Sequence, residues 1–546
     1  MTFLFSKENL AASDRRLQRL FEIIPGAVSW TILLGLAALT VTRPILASVL
    51  IIAFLFYWVL RLFYQTILLM FSYGRLTVES QTDWQERISG LDRLETYLKR
   101  VRSQRSFGPP ARRLSHWFHR KDLEALAASG SKPPLSSDIF HLVIIPAVKE
   151  SREIVEANVQ SIAKSKFPQK RILVLIACEA RAEEKVREGC SGIAAKYREQ
   201  FLDCEVVEHP DAVEGEARVK GANATYAARH AARFFEERGI PFENILVSCF
   251  DADTQASPDY FSCLTYSFMC RPDRTRCSFQ PIPVYHNNIW KVPGFARVIE
   301  TGSSFFQLIE ATNPEKLVTF SSHSMSFKAL VEAGYWPVDM ISDDSAIFWK
   351  AYLHFDGKYC VVPLYATLSM DVVDAGSWVR TVLSIYKQKR RWAWGVENFP
   401  IVARGFLTHG NIPWKDKVRH LSKMFEGHVT WATLPFLLMV ASWLPLIFSG
   451  REFSSTVLYF NARRVMEITY TLSGFALLGS IFVSQCLLPR SYIRYSLVRR
   501  TIHALEWLLV PFILVFLSAA PALDAQTRLL FGRYMEFRVS EKRRKS

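Results

Sequence analysis

The sequence predicts an α/β domain with a mostly parallel sheet, inserted between blocks of transmembrane helices. Two observations carry this prediction. Long uncharged runs lie near both ends of the chain, and the polar middle alternates short β-branched runs with stretches of helical spacing. Strands that alternate with helices are typical of a parallel sheet covered by helices.

The composition supports a partly membrane-embedded protein. Of the 546 residues, 50% are hydrophobic and 13% aromatic, a rich share for a soluble protein. The formal net charge of +16 fits nucleic acid, anionic lipid headgroups or phosphate-bearing substrates, and the apolar runs favour the membrane. Nine cysteines form no C-x-x-C motif, and eight lie between Cys178 and Cys360. We expect reduced thiols in a cytosolic domain.

Five apolar runs are candidates for membrane helices, since a spanning helix needs about 20 residues. They cover residues 23–41, 44–60, 428–450, 468–489 and 507–523. We predict four or five spanning helices in the plasma or inner membrane, with the basic N-terminal arm in the cytosol. A tight hairpin at Arg43 then returns the chain and places residues 61–426 in the cytosol. Pro511 and Pro521 favour a broken, re-entrant or interfacial last segment that keeps the basic tail inside.

These patterns divide the chain into six parts. We predict an N-terminal arm and transmembrane hairpin (1–74), a charged helical collar with a linker (75–138) and the α/β domain (139–400). Interfacial helices (401–427), a C-terminal transmembrane region (428–523) and a basic tail (524–546) follow.

Four short runs of the α/β domain are predicted as strands: "HLVIIPAV", "RILVLIAC", "CEVVEH" and "ILVSCF". The residues between them have helical spacing, as in Ile154, Val155, Val159 and Ile162. In parallel sheets, ligands bind beyond the carboxyl ends of the strands. The residues that follow each run are therefore candidates for a binding site.

Asp251 and Asp253 follow the fourth run directly, in the stretch "SCFDADTQ". Two aspartates one residue apart are common by chance and suit a turn. At a strand's carboxyl end they can also hold a hard divalent cation such as Mg²⁺ or Mn²⁺, which completes its shell with water and phosphate oxygens. No G-x-G-x-x-G or G-x-x-x-x-G-K-[ST] motif follows the strands, which disfavours a dinucleotide or P-loop site.

Two further patterns lie downstream. Asp343 and Asp344 open a helical pattern, where they suit either an N-terminal cap region or a general base. The stretch "YKQKRRWAWG" supplies Gln388, Arg391 and Trp392, which suit either an interfacial anchor or a substrate site.

In this order, "DAD" at 251–253, "SDD" at 342–344 and "QKRRW" at 388–392 resemble the catalytic pattern of membrane-embedded family 2 glycosyltransferases, such as cellulose, chitin and hyaluronan synthases. The resemblance covers about residues 139–400. It implies a GT-A-like, Rossmann-like domain that binds a nucleotide sugar.

The resemblance also implies roles for individual residues. Asp253 and Asp251 would bind Mg²⁺ or Mn²⁺, and Asp344, beside Asp343, would be the catalytic base. The implied substrate-binding residues are Glu179, Lys220, Asp251, Gln388, Arg391 and Trp392.

The chain departs from the family pattern at three places. Glu179 stands where the family usually has an aspartate, SDD replaces T-E-D, and Lys389 occupies the second position of the third motif. His323 and Lys328 are interpreted as a helix cap and a surface lysine, outside the site.

The resemblance predicts an inverting transferase that adds sugars from a nucleotide diphosphate sugar to a growing polysaccharide, with export through the helices as a further implication. Transfer of one sugar to a lipid-linked acceptor is the alternative, and a non-enzymatic transporter or scaffold is the third hypothesis. Nucleic-acid binding is disfavoured, because no recognition motif is present and the basic residues largely flank membrane runs. The sequence identifies neither the sugar nor any accessory subunit.

Overall fold

A mixed eight-stranded sheet forms the centre of the chain. The computed structural model describes residues 3–6, 10–104, 108–439, 443–444, 455–489 and 497–535. The strands are β1 (Phe140–Ala147), β2 (Ile172–Glu179), β3 (Asp203–His209), β4 (Ile245–Cys249), β5 (Gln255–Ala256), β6 (Cys277–Val284), β7 (Ser324–Ser326) and β8 (Cys360–Ser369). Their order across the sheet is β3-β2-β1-β4-β7-β6-β8-β5.

The sheet is mostly parallel, as predicted. Strands β1 to β4 are the four predicted runs; β1 pairs in parallel with β2 and β4, and β2 with β3. Strand β7 runs antiparallel between β4 and β6, and β8 pairs in parallel with β6. The carboxyl ends of β1, β2 and β4 therefore meet at one edge, where the fold places Glu179 and the DAD segment.

Helices cover both faces of the sheet. Those between residues 84 and 439 are α3 (Trp84–Leu91), α4 (Leu94–Ser103), α5 (Pro110–Ala128), α6 (Arg152–Ala163), α7 (Glu184–Tyr197), α8 (Lys220–Glu237), α9 (Tyr260–Met269), α10 (Gly294–Glu310), α11 (Phe327–Glu332), α12 (Asp343–His354), α13 (Trp378–Ala393), α14 (Asn398–Thr408) and α15 (Trp414–Met439). Val143 and Ile145 of β1 face α6, α7 and α9, whereas Leu142 and Ile144 face α8, α11 and α12. Burial on both faces explains why the strands are continuous apolar runs.

Helices α3 to α5 form a collar that packs on the α9 face of the sheet through Trp84, Ile88 and Leu123. The preceding helix, α2 (Pro44–Glu79), ends against this collar. Its last residue, Glu79, accepts hydrogen bonds from Ser115 Oγ at 2.5 Å and Arg87 Nη1 at 3.2 Å. These contacts fix the direction in which the chain leaves the apolar hairpin.

Four helices of the described chain are long and apolar enough to cross a membrane: Ala12–Thr42 (α1), Pro44–Glu79 (α2), Tyr459–Leu487 and Thr501–Leu530. Each overlaps one of the predicted apolar runs. The fifth run, at 428–450, lies partly outside the described residues.

The last apolar segment is helical throughout residues 497–530, although it contains Pro511 and Pro521. Its helical pitch changes at a 3₁₀ turn at Glu506–Leu509 and at a π-helix at Ile513–Ala519. Such turns accommodate the hydrogen bonds that proline removes. A re-entrant or interfacial placement of this segment stays a prediction.

The first and last helices of the described chain pack together. Ser29 Oγ of α1 donates to Gln526 Oε1 at 2.7 Å, and Trp30 Nε1 donates to Thr527 Oγ1 at 2.9 Å. Arg19 also donates to the carbonyl of Leu529 at 2.6 Å.

Candidate active site

The carboxyl ends of the strands open into a cavity of about 1400 Å³. Three segments that are distant in sequence supply its polar wall: the DAD segment, the start of α12 and the start of α8. Five carboxylates and one lysine from these segments and β2 line it: Glu179, Lys220, Asp251, Asp253, Asp343 and Asp344. The structure thus brings the predicted acids together.

Lys220 bridges two of the predicted acids. Its Nζ donates to Asp251 Oδ1 at 2.7 Å and to Asp344 Oδ1 at 2.9 Å. Burial acts to lower the pKa of Lys220, but the two carboxylates outweigh it and hold that pKa well above its usual range. Lys220 is therefore a charged group at the centre of the acidic wall.

Gly221 permits α8 to approach the SDD segment closely. A Cβ at this position would lie 2.3 Å from the Pro337 carbonyl oxygen and 3.0 Å from Asp343 Cβ. No real Cβ tolerates the first distance, so only glycine brings Lys220 within reach of Asp344 without moving the backbone.

Backbone and hydroxyl contacts hold the DAD segment. Ser322 Oγ accepts from the Asp251 amide at 3.1 Å, and Ser321 Oγ donates to Asp251 Oδ2 at 2.5 Å. Asp253 is buried, and its Oδ2 accepts from the Asp371 amide at 2.7 Å. The two aspartates are fixed by different segments, which goes beyond the local contacts of a simple turn.

Asp343 and Asp344 differ in their surroundings. Asp343 is buried, and burial together with the neighbouring carboxylate of Asp344 raises the pKa of Asp343 well above its usual range. The Asp344 side chain is 24% exposed and its backbone carbonyl accepts from Thr319 Oγ1 at 2.6 Å. Asp344 is therefore the more accessible carboxylate of the pair.

Glu397 connects the SDD segment to the chain that follows the third motif. Its Oε1 accepts from the Ser342 amide at 3.1 Å and from Ser342 Oγ at 2.8 Å. Its Oε2 accepts from Trp394 Nε1 at 2.9 Å. Ser342 forms no side-chain cap on α12, because its hydroxyl is committed to Glu397.

The third motif lies on α13, and its residues divide between the cavity and the core. Arg391 and Trp392 line the cavity. Gln388 is buried and is not among the cavity-lining residues. Lys389 Nζ donates to Glu300 Oε2 at 2.9 Å and lies 3.7 Å from the centre of the Trp392 ring. The lysine that departs from the family pattern therefore lines the cavity as well and contacts the Trp392 ring.

Glu179 ends β2 and lines the cavity, and it forms an ion pair with Arg181. Strand β1 pairs in parallel with β2 on one side and with β4 on the other, so the carboxyl ends of all three strands lie side by side. The position is compatible with the nucleotide contact that the resemblance implies, and that contact stays a prediction.

Sequence reasoning missed two residues next to the acids. Glu397 belongs to none of the three motifs, and its partners are Ser342, which is distant in sequence, and Trp394, so no sequence pattern indicates its role. His323, interpreted as a helix cap, is buried; its Nδ1 lies 3.0 Å from the Phe320 carbonyl oxygen and 3.8 Å from Asp344 Oδ1. Burial lowers the pKa of His323 to about 4, so it is neutral beside Asp344 at physiological pH.

The same cavity is also lined by apolar side chains of the candidate membrane spans. Trp58 belongs to α2, and Ile513 and Leu514 belong to the segment Thr501–Leu530. Val298 of α10 and Leu434 of α15 extend this apolar lining. The cavity therefore connects the acidic wall with two helices long and apolar enough to span a bilayer.

A parallel sheet with acids at its carboxyl edge, facing a cavity that reaches apolar helices, defines a membrane-associated α/β protein with a ligand site at the sheet edge. The chain belongs to glycosyl transferase family group 2, whose model matches residues 246–520. The predicted membership of family 2 is thereby confirmed, and the chain is a glycosyltransferase by family. Its grouping with the processive synthases stays a prediction.

Solved structures of glycosyltransferases align with the chain at low similarity. The mannosyltransferase PcManGT from Pyrobaculum calidifontis, in complex with GDP-Man and Mn²⁺, has a TM-score of 0.40 and 12% identity, covering 85% of this chain and 100% of its own. A TarS fragment from S. aureus in complex with UDP-GlcNAc has a TM-score of 0.35 and 12% identity, covering 73% of this chain and 94% of its own. No curated protein matches the sequence.

Proposed function

We propose that the chain is an inverting membrane glycosyltransferase that adds sugars from a nucleotide diphosphate sugar to a growing polysaccharide. The observation that carries the proposal is the shared cavity: residues of the DAD, SDD and QKRRW segments line it together with side chains of apolar helices. A donor at the acidic wall and an acceptor from the helix side would meet at Asp344.

Asp344 takes the proton of the acceptor hydroxyl, and the resulting oxygen attacks the anomeric carbon from the face opposite the leaving diphosphate. Three features support this role: Asp344 lines the cavity, is partly exposed and is oriented by Lys220 at 2.9 Å. Asp343 is buried beside it, and burial together with the Asp344 carboxylate raises the pKa of Asp343, so Asp343 holds a proton more readily and is less available to accept one from the acceptor. Arg391 stabilises the charge that develops on the diphosphate.

The acidic wall fits a divalent cation. Its donors are carboxylate oxygens, which suit hard ions such as Mg²⁺ and Mn²⁺. Asp251 and Asp253 would hold the ion, which when bound neutralises negative charge on the diphosphate. Lys220 and Ser321 already hydrogen-bond both oxygens of Asp251, so the carboxylate is oriented before any ligand arrives.

The apolar part of the cavity favours an acceptor that reaches the site from the membrane side. Trp392 lines the cavity, and an aromatic face suits a sugar ring. We place the α/β domain in the cytosol, where nucleotide sugars are available, and the growing glycan between the helices. Because apolar side chains dominate the lining there, transfer of one sugar to a lipid-linked acceptor is the second candidate function.

Incorporation of radiolabelled sugar from a panel of uridine and guanosine diphosphate sugars tests the proposal. Membranes holding the intact chain, the Asp344→Asn variant or the Asp211→Asn control would be assayed with Mn²⁺ or with a chelator, and products sized on a gel. Asp211 is an exposed aspartate and does not line the cavity. A polymer that requires metal and disappears only in Asp344→Asn is the expected result.

A short product that extracts into organic solvent would favour the lipid-linked acceptor. Equal incorporation by Asp344→Asn and Asp211→Asn would overturn the assignment of the base. A product formed equally with chelator would overturn the metal site.

A further inference from the structure

Two thiols face each other at the end of the sheet opposite the cavity. Cys277 begins β6 and Cys360 begins β8, and the two residues are register partners in this parallel pair. Their Sγ atoms lie 3.1 Å apart, closer than two sulfur atoms approach in ordinary van der Waals contact. Only a small movement separates this arrangement from a disulfide, since neighbouring strands already bring the Cβ atoms close.

The two thiols differ in exposure. Cys277 is buried, whereas Cys360 is half-buried and open to small reagents. A more accessible thiol beside a buried one is the arrangement of an attacking and a resolving cysteine.

A cation lies beside the half-buried thiol of Cys360. Arg271 Nη2 lies 3.6 Å from Cys360 Sγ, and the same guanidinium forms two hydrogen bonds of 3.0 Å to the Asp273 carboxylate. The hydrogen bond from the Cys277 thiol, aided by Arg271, lowers the pKa of Cys360 below its usual value. The thiolate is the nucleophile in thiol chemistry, so Cys360 is the more reactive thiol of the two.

Asp273, Cys277 and Cys360 could also serve as three ligands of a soft metal ion, because their donor atoms lie within 4.8 Å of one another. The Arg271 guanidinium argues against a cation at this place. It contacts two of the three groups and carries the charge that a metal ion would have to replace.

We propose that Cys277 and Cys360 form a reversible disulfide that links the first residues of β6 and β8. The oxidant is hydrogen peroxide. The Cys360 thiolate attacks one peroxide oxygen, the O–O bond breaks, and the second oxygen leaves as hydroxide and becomes water. Cys277 then attacks the sulfenic sulfur; the S–S bond forms, and the sulfenic oxygen leaves as water with the Cys277 proton. Two thiols and one peroxide thus give one disulfide and two waters.

The proposal does not depend on the glycosyltransferase chemistry, because the thiol pair lies at the amino ends of strands whose carboxyl ends lead to the cavity. Strand β8 runs from Cys360 to Ser369, and the next residue, Met370, lines the cavity. Thiol oxidation can therefore be measured whether or not sugar transfer is detected.

The test is disulfide mapping on the full chain in detergent. Reduced protein would be exposed to hydrogen peroxide, its remaining thiols alkylated, and the digest analysed by mass spectrometry. We expect a peptide containing Cys277 linked to one containing Cys360, which dithiothreitol separates. The Cys277→Ser and Cys360→Ser variants should lack this species, and Arg271→Gln should slow loss of the Cys360 thiol by about threefold or more at neutral pH.

The buried Cys178 and Cys190, which hydrogen-bond to each other, supply a matched control. The Cys178→Ser variant should form the 277–360 link at the wild-type rate. The thermal midpoint of each serine variant would show whether the disulfide is missing because the thiol was removed or because the variant does not fold.

Three outcomes would overturn the proposal. Both thiols could stay alkylatable after peroxide treatment, Cys360 could oxidise to the sulfinic acid while Cys277 stays free, or purified wild-type protein could retain one zinc ion that Cys360→Ser loses. The last result would assign the cluster to a metal.

Discussion

Replacement of Glu397 by glutamine tests whether one buried carboxylate positions the paired aspartates. Oε1 of Glu397 accepts two hydrogen bonds from Ser342, at 3.1 and 2.8 Å, and Oε2 accepts one from Trp394, at 2.9 Å. All three partners are donors. The NH₂ group of a glutamine would face a donor in either orientation, so the variant loses at least one hydrogen bond.

The magnitude follows from the charge and burial of Glu397. A hydrogen bond to a charged group contributes roughly 1.5–3 kcal/mol, and the residue is only 3% exposed, so solvent screens little of it. We expect the free energy of unfolding of Glu397→Gln to fall by about 2 kcal/mol. Because Ser342 directly precedes Asp343 and Asp344, a shift of about 1 Å would also lower the rate of sugar transfer about 100-fold.

The assay compares sugar incorporation and the thermal midpoint of Glu397→Gln with those of Glu315→Gln in the same detergent. Glu315 provides the matched control, since its side chain is 80% exposed. The reasoning is refuted if the two variants show the same midpoint and the same rate. A lower midpoint with an unchanged rate would leave Glu397 a stabilising residue only and remove its positioning role.

The other predictions concern three charged or titratable groups that are buried or largely buried. Lys220→Met removes the cation between two carboxylates and with it two charge-assisted hydrogen bonds. Because partial exposure reduces the contribution of each hydrogen bond, we expect sugar incorporation to fall about 100-fold or more. Lys389→Met leaves Glu300 buried without its cation, and the free energy of unfolding should fall by roughly 3–5 kcal/mol. Burial lowers the pKa of His141 to about 3, so the unfolded chain binds a proton near pH 6.5 that the folded chain does not. Stability should therefore fall as the pH drops from 6.5 towards 3, and His141→Gln should reduce that slope by about 1.4 kcal/mol per pH unit.

Each of these predictions has a control. Lys132→Met, at an exposed position, should keep the wild-type transfer rate, and a Lys220→Met variant that also keeps it would exclude a role for the bridge. The double variant Lys389→Met with Glu300→Gln should recover part of the lost stability. A double variant as unstable as Lys389→Met alone would contradict the prediction. Thermal midpoints between pH 7.5 and 5 check His141, and parallel curves for wild type and His141→Gln would count against its contribution.

The sequence predicted the first half of the sheet better than the second. Strands β1 to β4 are continuous apolar runs that carry their own signal. Strands β6 and β8 read "CSFQPIPV" and "CVVPLYATLS", in which proline and polar residues weaken the pattern, and their register shifts between Gln280 and Ile282. The three-residue β7 exists only because its antiparallel partners flank it, so it has no local signal.

The acids of the site were predictable because each follows an apolar run or opens a helix, and the sheet brings such positions to one edge. The contacts that orient them were not. The bond from Lys220 to Asp344 joins residues 124 apart in sequence, and it depends on the missing side chain of Gly221. Gln388 shows the opposite case: its motif position suggested a substrate contact, and the turn of α13 buries it while Arg391 and Trp392 line the cavity.

The pairing of the first and last helices affects the order of biosynthesis. Ser29 and Gln526 are 497 residues apart, so the hydroxyl of Ser29 is made long before its partner. At about 5–20 residues per second, this interval is roughly 25–100 s. Throughout that time the hydroxyl of Ser29 must bond to another group, such as water or a carbonyl of its own helix. The contacts between α1 and the last helix of the described chain therefore form only after residues 501–530 have been made.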